Sequence, residues 1–355
     1  MDIKCVTVIG LGLIGGSIAK ALKEKVGVKR IIGIDLDNKV VSEALKEGVI
    51  SQGYTDVPPD IFDSDIVFVC TPVNKTLEWV QKIIPHINPR CIVTDVGSTK
   101  SQLMSKIEQL PDKFIFIGGH PMAGSEKSGF YYSQGHLFEN VYYILIPCAK
   151  STPEAIQSLG SLVREFGSIP LELPAHLHDQ VTGAISHVPH VISAALVNMV
   201  READTTEQFM QKLAAGGFKD ITRISSSSPE MWQSICFDNQ KAVIEILNRY
   251  IDILREFVKN LESKDEEKIY FIFVGRGTER YKLENTIKKH NMLEHCDTVI
   301  AGISGGADSI CLFFIMKEIC GQQGIKMVAA HVNHMLRGAE ADEDEKFVTD
   351  LCNRY

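Results

Sequence analysis

The chain has no cysteine arrangement that is typical of a metal centre or a disulfide framework. Its nine cysteines are scattered, and no two of them form a C-x-x-C pair. This usage indicates reduced thiols in a cytoplasm, and we predict neither a zinc site nor any other metal site. An excess of positive charge is also missing, since the formal net charge is -8 and the sequence pI is about 5.8. The overall charge therefore gives no support for a nucleic-acid-binding surface.

Long uninterrupted hydrophobic runs are missing too. The first apolar run, residues 5–19, is broken by glycines, so we expect no cleavable signal peptide. The longest apolar stretch, Val181 to Val200, is interrupted by His187, Pro189, His190 and Asn198. We interpret it as a buried core helix and not as a membrane span. The 355 residues, 45% hydrophobic and 23% charged, predict two or three globular domains.

The N-terminus has the order of elements that dinucleotide-binding proteins use. A predicted strand, Cys5 to Ile9, leads into G-x-G-x-x-G and a helix, and the next strand ends on Asp35. The three glycines allow a tight turn, the approach of a pyrophosphate and close helix packing. The acid on the second strand favours NAD over NADP, although Lys39 is nearby. The predicted cofactor-binding residues are Gly10, Gly12, Leu13, Ile14, Gly15, Asp35, Thr71 and Pro72.

Further buried strands alternate with helix-length segments up to Pro174, which predicts a mostly parallel, doubly wound sheet. Polar residues follow three of these strands, at Thr71, Ser98 and His120. Because ligands bind beyond the carboxyl ends of parallel strands, we expect these residues to gather around the nicotinamide end of the cofactor.

The stretch GGHPMAGSE, Gly118 to Glu126, follows a short predicted strand, Phe114 to Ile117. We expect its two glycines to turn the backbone at the end of that strand, and Pro121 to restrict the backbone of His120. A histidine held on a rigid turn suits proton transfer near neutral pH.

Only helical patterns follow from Ala175 to about Ser263. The last of them has an amphipathic stripe, which we expect to pack against a second copy of the chain; the stripe consists of Val243, Ile246, Leu247, Tyr250, Ile253 and Leu254. His187 and His190 lie three apart on one helical face, and without a third ligand they favour core or substrate contacts over a metal. Arg223 needs an anionic partner, which is either Asp220 or a substrate carboxylate.

Met1 to about Gly277 resembles the prephenate dehydrogenase family of tyrosine biosynthesis. The resemblance rests on VIGLGLIGGSIA, CTPV, DVGSTK, GGHPMAGSE, LFEN, HDQVTGAISHVPH, GFKDITRI and MWQSI. It implies an NAD-binding Rossmann domain, a helical dimerisation domain, and oxidative decarboxylation of prephenate to 4-hydroxyphenylpyruvate with hydride transfer to NAD. Arogenate, which carries an amine in place of the ketone, stays open as an alternative substrate.

The family's site residues carry over to matching positions in this chain. The resemblance implies that His120 is the catalytic base, that Ser98 orients it, and that Arg223 binds the substrate side-chain carboxylate. The other residues implied to contact substrate or to brace the pocket are His190, Asp220, Trp232 and Ser125.

The C-terminal residues follow a different pattern. A predicted strand, TVIAGI, precedes SGGADS, and a helix and the segment HVNHMLRG follow. A glycine- and serine-rich loop between a strand and a helix is typical of a pyrophosphate-binding loop. The residues of this predicted ATP loop are Ser304, Gly305, Gly306, Asp308 and Ser309. From about Lys282 onward the chain resembles the N-terminal start of the tRNA(Ile)-lysidine synthetase family.

The tail contains only the start of that family's pattern. Residues 282–355 have 8 Lys and Arg against 11 Asp and Glu, a net charge of -3. Because tRNA binding needs a basic surface, we expect no tRNA partner, no ligase activity and at most weak ATP binding. A fusion of two truncated reading frames and a chimeric sequence are both open as origins.

Together these patterns predict an α/β plus all-α chain. Its parts are an NAD-binding Rossmann domain (1–173), a helical substrate and dimerisation domain (174–268), a linker (269–281) and a truncated PP-loop fragment (282–355). The leading function is an NAD-dependent prephenate dehydrogenase in the cytoplasm. The alternatives are a related β-hydroxyacid dehydrogenase, an ATP-dependent tRNA-modifying protein with a dehydrogenase scaffold, and a non-catalytic NAD sensor.

Overall fold

A computed structural model describes residues 3–111, 113–124, 127–264, 287, 289, 293, 298–303, 307–331 and 339–354, without the side chains of 307–309, 311 and 339–345. The chain divides into two compact units, Met1–Arg249 and Tyr250–Tyr355.

The first unit is built on an eight-stranded sheet. Its strands are β1 (Cys5–Ile9), β2 (Arg30–Ile34), β3 (Gln52–Tyr54), β4 (Ile66–Val69), β5 (Ile92–Asp95), β6 (Ile115–Pro121), β7 (Tyr142–Ile146) and β8 (Ile169–Glu172). They lie in the order β3-β2-β1-β4-β5-β6-β7-β8, and every neighbouring pair is parallel except β6 with β7. The predicted Rossmann-type sheet is therefore confirmed, and its strand order reverses between β1 and β4, where ligands bind in such sheets.

Helices cover both faces of this sheet, because alternate side chains of each buried strand point to opposite faces. The helices are α1 (Leu13–Ala21), α2 (Asn38–Lys46), α3 (Val73–Ile83), α4 (Ser101–Glu108) and α5 (Pro153–Glu165). Val6 and Val8 of β1 belong to one apolar cluster with α1, α2 and α5. Cys5 and Ile9 of the same strand belong to the other cluster, with α3 and α4. Helices therefore cover the sheet on both faces, and this packing holds the carboxyl ends of the buried strands in fixed positions.

Strand β6 differs from its sequence-based prediction. The strand does not end at Ile117 but continues through His120 and Pro121, and it pairs with β7. The glycines do not turn the chain; they let β6 lie close to its neighbours. A Cβ on Gly119 would lie 2.4 Å from the carbonyl oxygen of Asp95, so only glycine fits there. His120 is consequently held on a paired strand and not on a loop. The short edge strand β3 was also not predicted.

A layer of helices follows β8 in the chain. It contains α6 (Ala175–Thr182), α7 (Val188–Ala203), α8 (Phe209–Leu213), α9 (Gly216–Thr222), α10 (Pro229–Asp238) and α11 (Gln240–Glu262). A π-helical turn, Gly183–His187, joins α6 to α7. The described residues contain one helical stretch, Ala175–Ala203, that is long and apolar enough by composition to cross a membrane.

This stretch corrects the prediction of a buried core helix. Only 28% of its most apolar window is buried within the molecule. Its buried residues include His187, Val188 and His190, whereas Ile185 is 63% and Met199 58% exposed. Its first part, α6, packs on α4, and α7 packs on α8, α9 and the turn Arg223–Ser226, whereas apolar side chains such as Ile185 and Met199 are exposed.

The second unit contains, beyond the end of α11, a smaller α/β arrangement. Strands β9 (Thr298–Gly302) and β10 (Lys326–Ala330) pair in parallel, and the helices are α12 (Ala307–Gln323) and α13 (Ala339–Arg354). Two small apolar clusters join these elements, around Ile315 and around Phe314. On the two-stranded sheet Ile300 remains 70% exposed.

Candidate active site

The glycine loop after β1 has the geometry that a dinucleotide requires. Gly10 has a φ of +88°, and a Cβ there would lie 2.6 Å from the carbonyl oxygen of Cys70. A Cβ on Gly15 would lie 1.9 Å from the carbonyl oxygen of Gly10, so only glycine allows α1 to approach β1 this closely. Gly12 differs from both, because no atom of the described residues lies within 4 Å of a Cβ built on it. The space beside Gly12 is open to a ligand.

Other polar groups around this loop also fit a bound dinucleotide. No side chain in the described part of the chain caps the N-terminus of α1, so its first amides remain available to an anion. Thr71 Oγ1 is buried and has no hydrogen-bond partner among the described residues. The Asp35 carboxylate accepts the Leu11 amide at 2.7 Å and the Asp37 amide at 2.9 Å. Since a carboxylate offers about four acceptor sites, Asp35 retains capacity for ribose hydroxyls.

His120 lies next to the carboxyl end of β5, and His178 and Asp179 continue a line of hydrogen bonds from its Nδ1 atom. Its Nδ1 atom lies 2.8 Å from Nε2 of His178, and His178 Nδ1 lies 2.8 Å from Asp179 Oδ1. Asp179 also accepts the backbone amides of Lys100 at 2.8 Å and Ser101 at 2.7 Å, at the start of α4. Among the described residues, Nε2 of His120 has no hydrogen-bond partner.

A fully buried ion pair supports the backbone around His120. Lys100 Nζ lies 2.8 Å from Asp95 Oδ2, and both side chains are completely buried. Asp95 also accepts the amide of Gly119 at 3.2 Å, one residue before His120. Burial, followed by the nearby charges of Lys100, His178 and His187, holds the pKa of His120 well below its usual value. His120 is therefore neutral near pH 7, as a general base must be.

The network continues into the helical layer. Asn239 Nδ2 donates to the Asp179 carbonyl oxygen at 2.7 Å and lies 3.0 Å from Nδ1 of His187. Burial lowers the pKa of His187 to about 4. We call His120, His178, Asp179, Asn239 and His187 the histidine network. It joins the sheet to the helices through hydrogen bonds.

An aromatic pair lies beside the histidine network. The rings of His190 and Trp232 stack with centroids 3.5 Å apart, and the Trp232 ring also lies edge-on to His187 at 6.1 Å. Trp232 Nε1 is buried and has no hydrogen-bond partner among the described residues. It is therefore a donor that a ligand oxygen could satisfy, since buried polar groups are normally hydrogen-bonded.

The remaining predicted site residues lie in several places. Ser98 follows β5 and is half-buried, but the side chain that binds His120 Nδ1 is His178, so orientation by Ser98 remains a prediction. Asp220 is exposed in α9, and Arg223 is exposed in a turn that packs against α7. Ser125 and the tail residues Ser304, Gly305 and Gly306 lie outside the described residues. Asp308 and Ser309 begin α12, and their side chains also lie outside them.

Sequence reasoning missed four residues of this site: Lys100, His178, Asp179 and Asn239. Lys100 belongs to the motif DVGSTK, and His178 and Asp179 open HDQVTGAISHVPH. Adjacent histidine and aspartate residues before an apolar helix are a signal that could have identified the pair. Asn239 lies between two helices and gives no comparable signal.

The family comparisons agree with this geometry. A family model described as "Prephenate dehydrogenase, nucleotide-binding domain" matches residues 18–169, and "Prephenate dehydrogenase, dimerization domain" matches residues 174–274. Prephenate dehydrogenase from Bacillus subtilis (strain 168) is 38% identical over 266 residues, which are 74% of this chain and 72% of that protein. The chain belongs to the prephenate dehydrogenase family. The predicted class, an NAD-dependent dehydrogenase, is thereby confirmed.

A solved structure supports the same assignment. The crystal structure of prephenate dehydrogenase from A. aeolicus in complex with hydroxyphenyl propionate and NAD+ has a TM-score of 0.72 and 31% sequence identity. The match covers 82% of this chain and 99% of that one. The combination of a Rossmann sheet and a helical layer is thus shared with a prephenate dehydrogenase that binds NAD+.

The C-terminal residues match a different family, as predicted. A model described as "PP-loop domain" matches residues 278–355. The tRNA(Ile)-lysidine synthase of Clostridium tetani (strain Massachusetts / E88) is 46% identical over 71 residues, which are 20% of this chain and 15% of that protein. The tail therefore corresponds to a small part of a lysidine synthase.

Proposed function

We propose that this protein catalyses the NAD-dependent oxidative decarboxylation of prephenate to 4-hydroxyphenylpyruvate. The observation that supports this most is the neutral His120, whose Nδ1 atom is engaged by His178 and whose Nε2 atom is left for a substrate hydroxyl. Family membership supplies the substrate class, because the similar B. subtilis protein is a prephenate dehydrogenase.

The cofactor half of the site is formed by the loop after β1. NAD, when bound, accepts the hydride that leaves the ring carbon bearing the hydroxyl. Gly12 and the free amides of α1 hold the pyrophosphate, Asp35 accepts from the adenosine ribose, and Thr71 supplies a hydroxyl toward the nicotinamide end. A carboxylate at the ribose repels a 2′-phosphate, which favours NAD over NADP.

The substrate half is formed by β6 and the helical layer. His120 Nε2 takes the proton of the substrate hydroxyl as the hydride departs. Arg223 binds the side-chain carboxylate, and Trp232 Nε1 donates to a substrate oxygen, with His190 stacked behind the indole. In this proposal Ser98 orients His120, and Asp220 and Ser125 are the further substrate-binding residues that the family resemblance implies. These contacts orient the ring so that its hydroxyl faces His120.

We further infer a dimer formed by the helical layer and a cytoplasmic location. The dimerisation domain model covers residues 174–274, and the exposed apolar side chains of this layer include Ile185, Met199, Phe209, Leu213 and Ile221. Several exposed large apolar side chains on one helical layer favour a subunit interface. A sizing experiment that gives a clean monomer at micromolar concentration would contradict the dimer.

For the tail, we infer that this chain forms no lysidine. The match covers 15% of the relative's length, and residues 282–355 carry a net charge of -3. The purified chain, incubated with ATP, lysine and the tRNA(Ile) substrate, is expected to leave the tRNA unmodified. Detection of lysidine in that tRNA would show that the tail is an active ligase. The division into parts at residues 173, 268 and 281 remains a proposal.

Substrate choice tests the main proposal. The purified protein is supplied with NAD or NADP and with prephenate, arogenate or a 3-hydroxyacid, and nicotinamide reduction is followed by absorbance. We expect reduction with NAD and prephenate. A clear preference for arogenate would move the assignment to the alternative substrate, and reduction with the 3-hydroxyacid alone would overturn the proposal.

A further inference from the structure

His178 and Asp179 lie directly behind the base and have no role in the steps above. His178 is fully buried, and its two ring nitrogens each lie 2.8 Å from a partner, His120 on one side and Asp179 on the other. The three side chains form one hydrogen-bonded line that ends at the catalytic histidine.

The charge of the Asp179 carboxylate determines which nitrogen of His178 donates to it. Burial opposes ionisation of Asp179, but hydrogen bonds from His178, Ser101 and Lys100 outweigh it and lower the pKa of that carboxyl. An ionised carboxylate only accepts, so His178 carries its hydrogen on Nδ1. His120 is neutral and has a single N–H group, so a His120 whose Nε2 is bare toward the substrate carries its hydrogen on Nδ1 and donates it to His178 Nε2.

We propose that His178 and Asp179 are positioning residues that hold His120 in the Nδ1–H tautomer, with Nε2 bare toward the substrate. This inference rests on the proposed role of His120 as the base. When Nε2 takes the hydroxyl proton, both nitrogens of His120 carry hydrogens and the ring becomes positive. His178 Nε2 continues to accept from Nδ1, and the negative charge of Asp179 stabilises the imidazolium. No proton has to move along the line.

The surroundings keep the line rigid. The Asp179 carboxylate is held by the amides of Lys100 and Ser101, and its backbone carbonyl is held by Asn239. Asp179 therefore cannot rotate away from His178 without losing backbone hydrogen bonds at the start of α4. A tautomer that is fixed before substrate binds need not be selected during turnover.

Two substitutions of His178 separate tautomer control from packing. His178→Gln keeps the donor order, because its amide N–H donates to Asp179 and its carbonyl oxygen accepts from His120. His178→Phe fills a similar volume but leaves His120 Nδ1 without a partner. We expect kcat to fall about 10- to 100-fold in His178→Phe, part of the about 10²–10⁴-fold that a general base supplies, with KM for prephenate nearly unchanged. His178→Gln is expected to retain most of kcat.

Nitrogen-15 NMR of histidine-labelled protein reads the tautomer directly and needs neither substrate nor turnover. We expect His120 to show a protonated Nδ1 and a bare Nε2 in the wild type and in His178→Gln, but not in His178→Phe. A wild-type His120 protonated on Nε2 would overturn the inference, and so would equal kcat values in the two folded variants. If His178→Phe does not fold, the tautomer of His120 in the spectra of the wild type and of His178→Gln still tests the inference. If the wild type fails to oxidise prephenate, the proposed function fails, while the spectrum still tests the tautomer.

Discussion

The glycine loop after β1 and the histidine network are positioned by different kinds of interaction. The loop is shaped by backbone contacts within one strand-turn-helix segment, where a Cβ on Gly15 would lie 1.9 Å from the Gly10 carbonyl oxygen. The network is shaped by side chains that meet from distant parts of the chain, such as His120 with His178 and Asp179 with Asn239. The glycine loop depends on the lack of a side chain on glycine, and the histidine network depends on the polar atoms of its side chains.

The two regions should therefore fail in different ways. Substitutions in the glycine loop add atoms where backbone lies, so they change stability or cofactor binding. Substitutions in the histidine network leave the backbone in place, so they change catalysis and the dependence of stability on pH. The variants below test that difference.

The largest effect is expected for His120→Asn. It removes the proton acceptor and keeps a polar side chain of smaller size, so kcat should fall by about 10²–10⁴-fold while NAD affinity stays within about twofold. Initial rates with prephenate and fluorescence titration with NAD measure the two quantities. His86→Asn, at an exposed histidine, is the control and should match the wild type. Full activity of His120→Asn would remove His120 from the mechanism.

Two alanine substitutions in the glycine loop are expected to differ from each other. Gly15→Ala places a Cβ against backbone and should lower the free energy of unfolding by about 3 kcal/mol. In Gly12→Ala no atom of the described residues lies within 4 Å of the new Cβ, so stability should change by less than about 1 kcal/mol. Its NAD affinity should fall about tenfold or more, which corresponds to about 1.4 kcal/mol, because the Cβ fills the space of the pyrophosphate.

Denaturant unfolding and NAD titration of both variants decide this comparison. Equal stabilities would show that α1 does not need the close approach at Gly15. Undiminished NAD affinity in Gly12→Ala would show that the cofactor does not approach this part of the loop.

A stability change with pH is expected from His187, which is almost fully buried and has a pKa lowered to about 4. Above pH about 6.5 the histidine is neutral in the folded and the unfolded chain, so it has no effect. As the pH falls below that value, the unfolded chain binds a proton and the folded chain does not. Stability should therefore decrease, by up to about 3 kcal/mol near pH 4.

Denaturant midpoints measured between pH 7 and pH 5 test whether stability decreases as the pH falls. His187→Gln keeps an acceptor for Asn239 and removes the titration, so its stability should depend less steeply on pH. An unchanged slope would show that other groups, such as the buried His120, account for the dependence.

The smallest effect is expected at Thr71. Its hydroxyl is buried without a partner among the described residues, so Thr71→Val should leave the cofactor-free protein as stable as before or more stable. NAD affinity should fall about two- to tenfold, because a hydrogen bond contributes about 0.5–1.5 kcal/mol. Thr76→Val is the matched control, since that hydroxyl donates to the Pro72 carbonyl oxygen within the same segment. Equal NAD affinity in the two variants would contradict a cofactor contact at Thr71.

The glycine loop depends on contacts within one segment, and the histidine network on contacts between distant segments. This difference also explains how much of the structure the sequence alone predicts. The strands β1, β2, β4 and β5 and the glycine spacing are local patterns, so the Rossmann sheet and the cofactor half follow from them. The path of β6 is not local. Its glycines resemble a turn, and only the neighbouring β5 and β7 show that they serve close strand packing.

The histidine network could be predicted only in part. His120 was identified from its motif, but His178 lies 58 residues further along the chain, and no spacing rule joins the two. Asn239 contacts Asp179 across 60 residues, and the buried Lys100 would be expected at a surface from its residue type alone. Pairings of this kind depend on how α4, α6 and the junction between α10 and α11 pack together.

The most direct test of the proposed reaction is the stoichiometry of the wild-type protein acting on prephenate. NADH, carbon dioxide and 4-hydroxyphenylpyruvate are measured in the same reaction, by absorbance, by trapped gas and by chromatography. The proposal predicts one of each per prephenate consumed, and none above background from His120→Asn. Product without NADH, NADH without carbon dioxide, or the same yield from His120→Asn would contradict it.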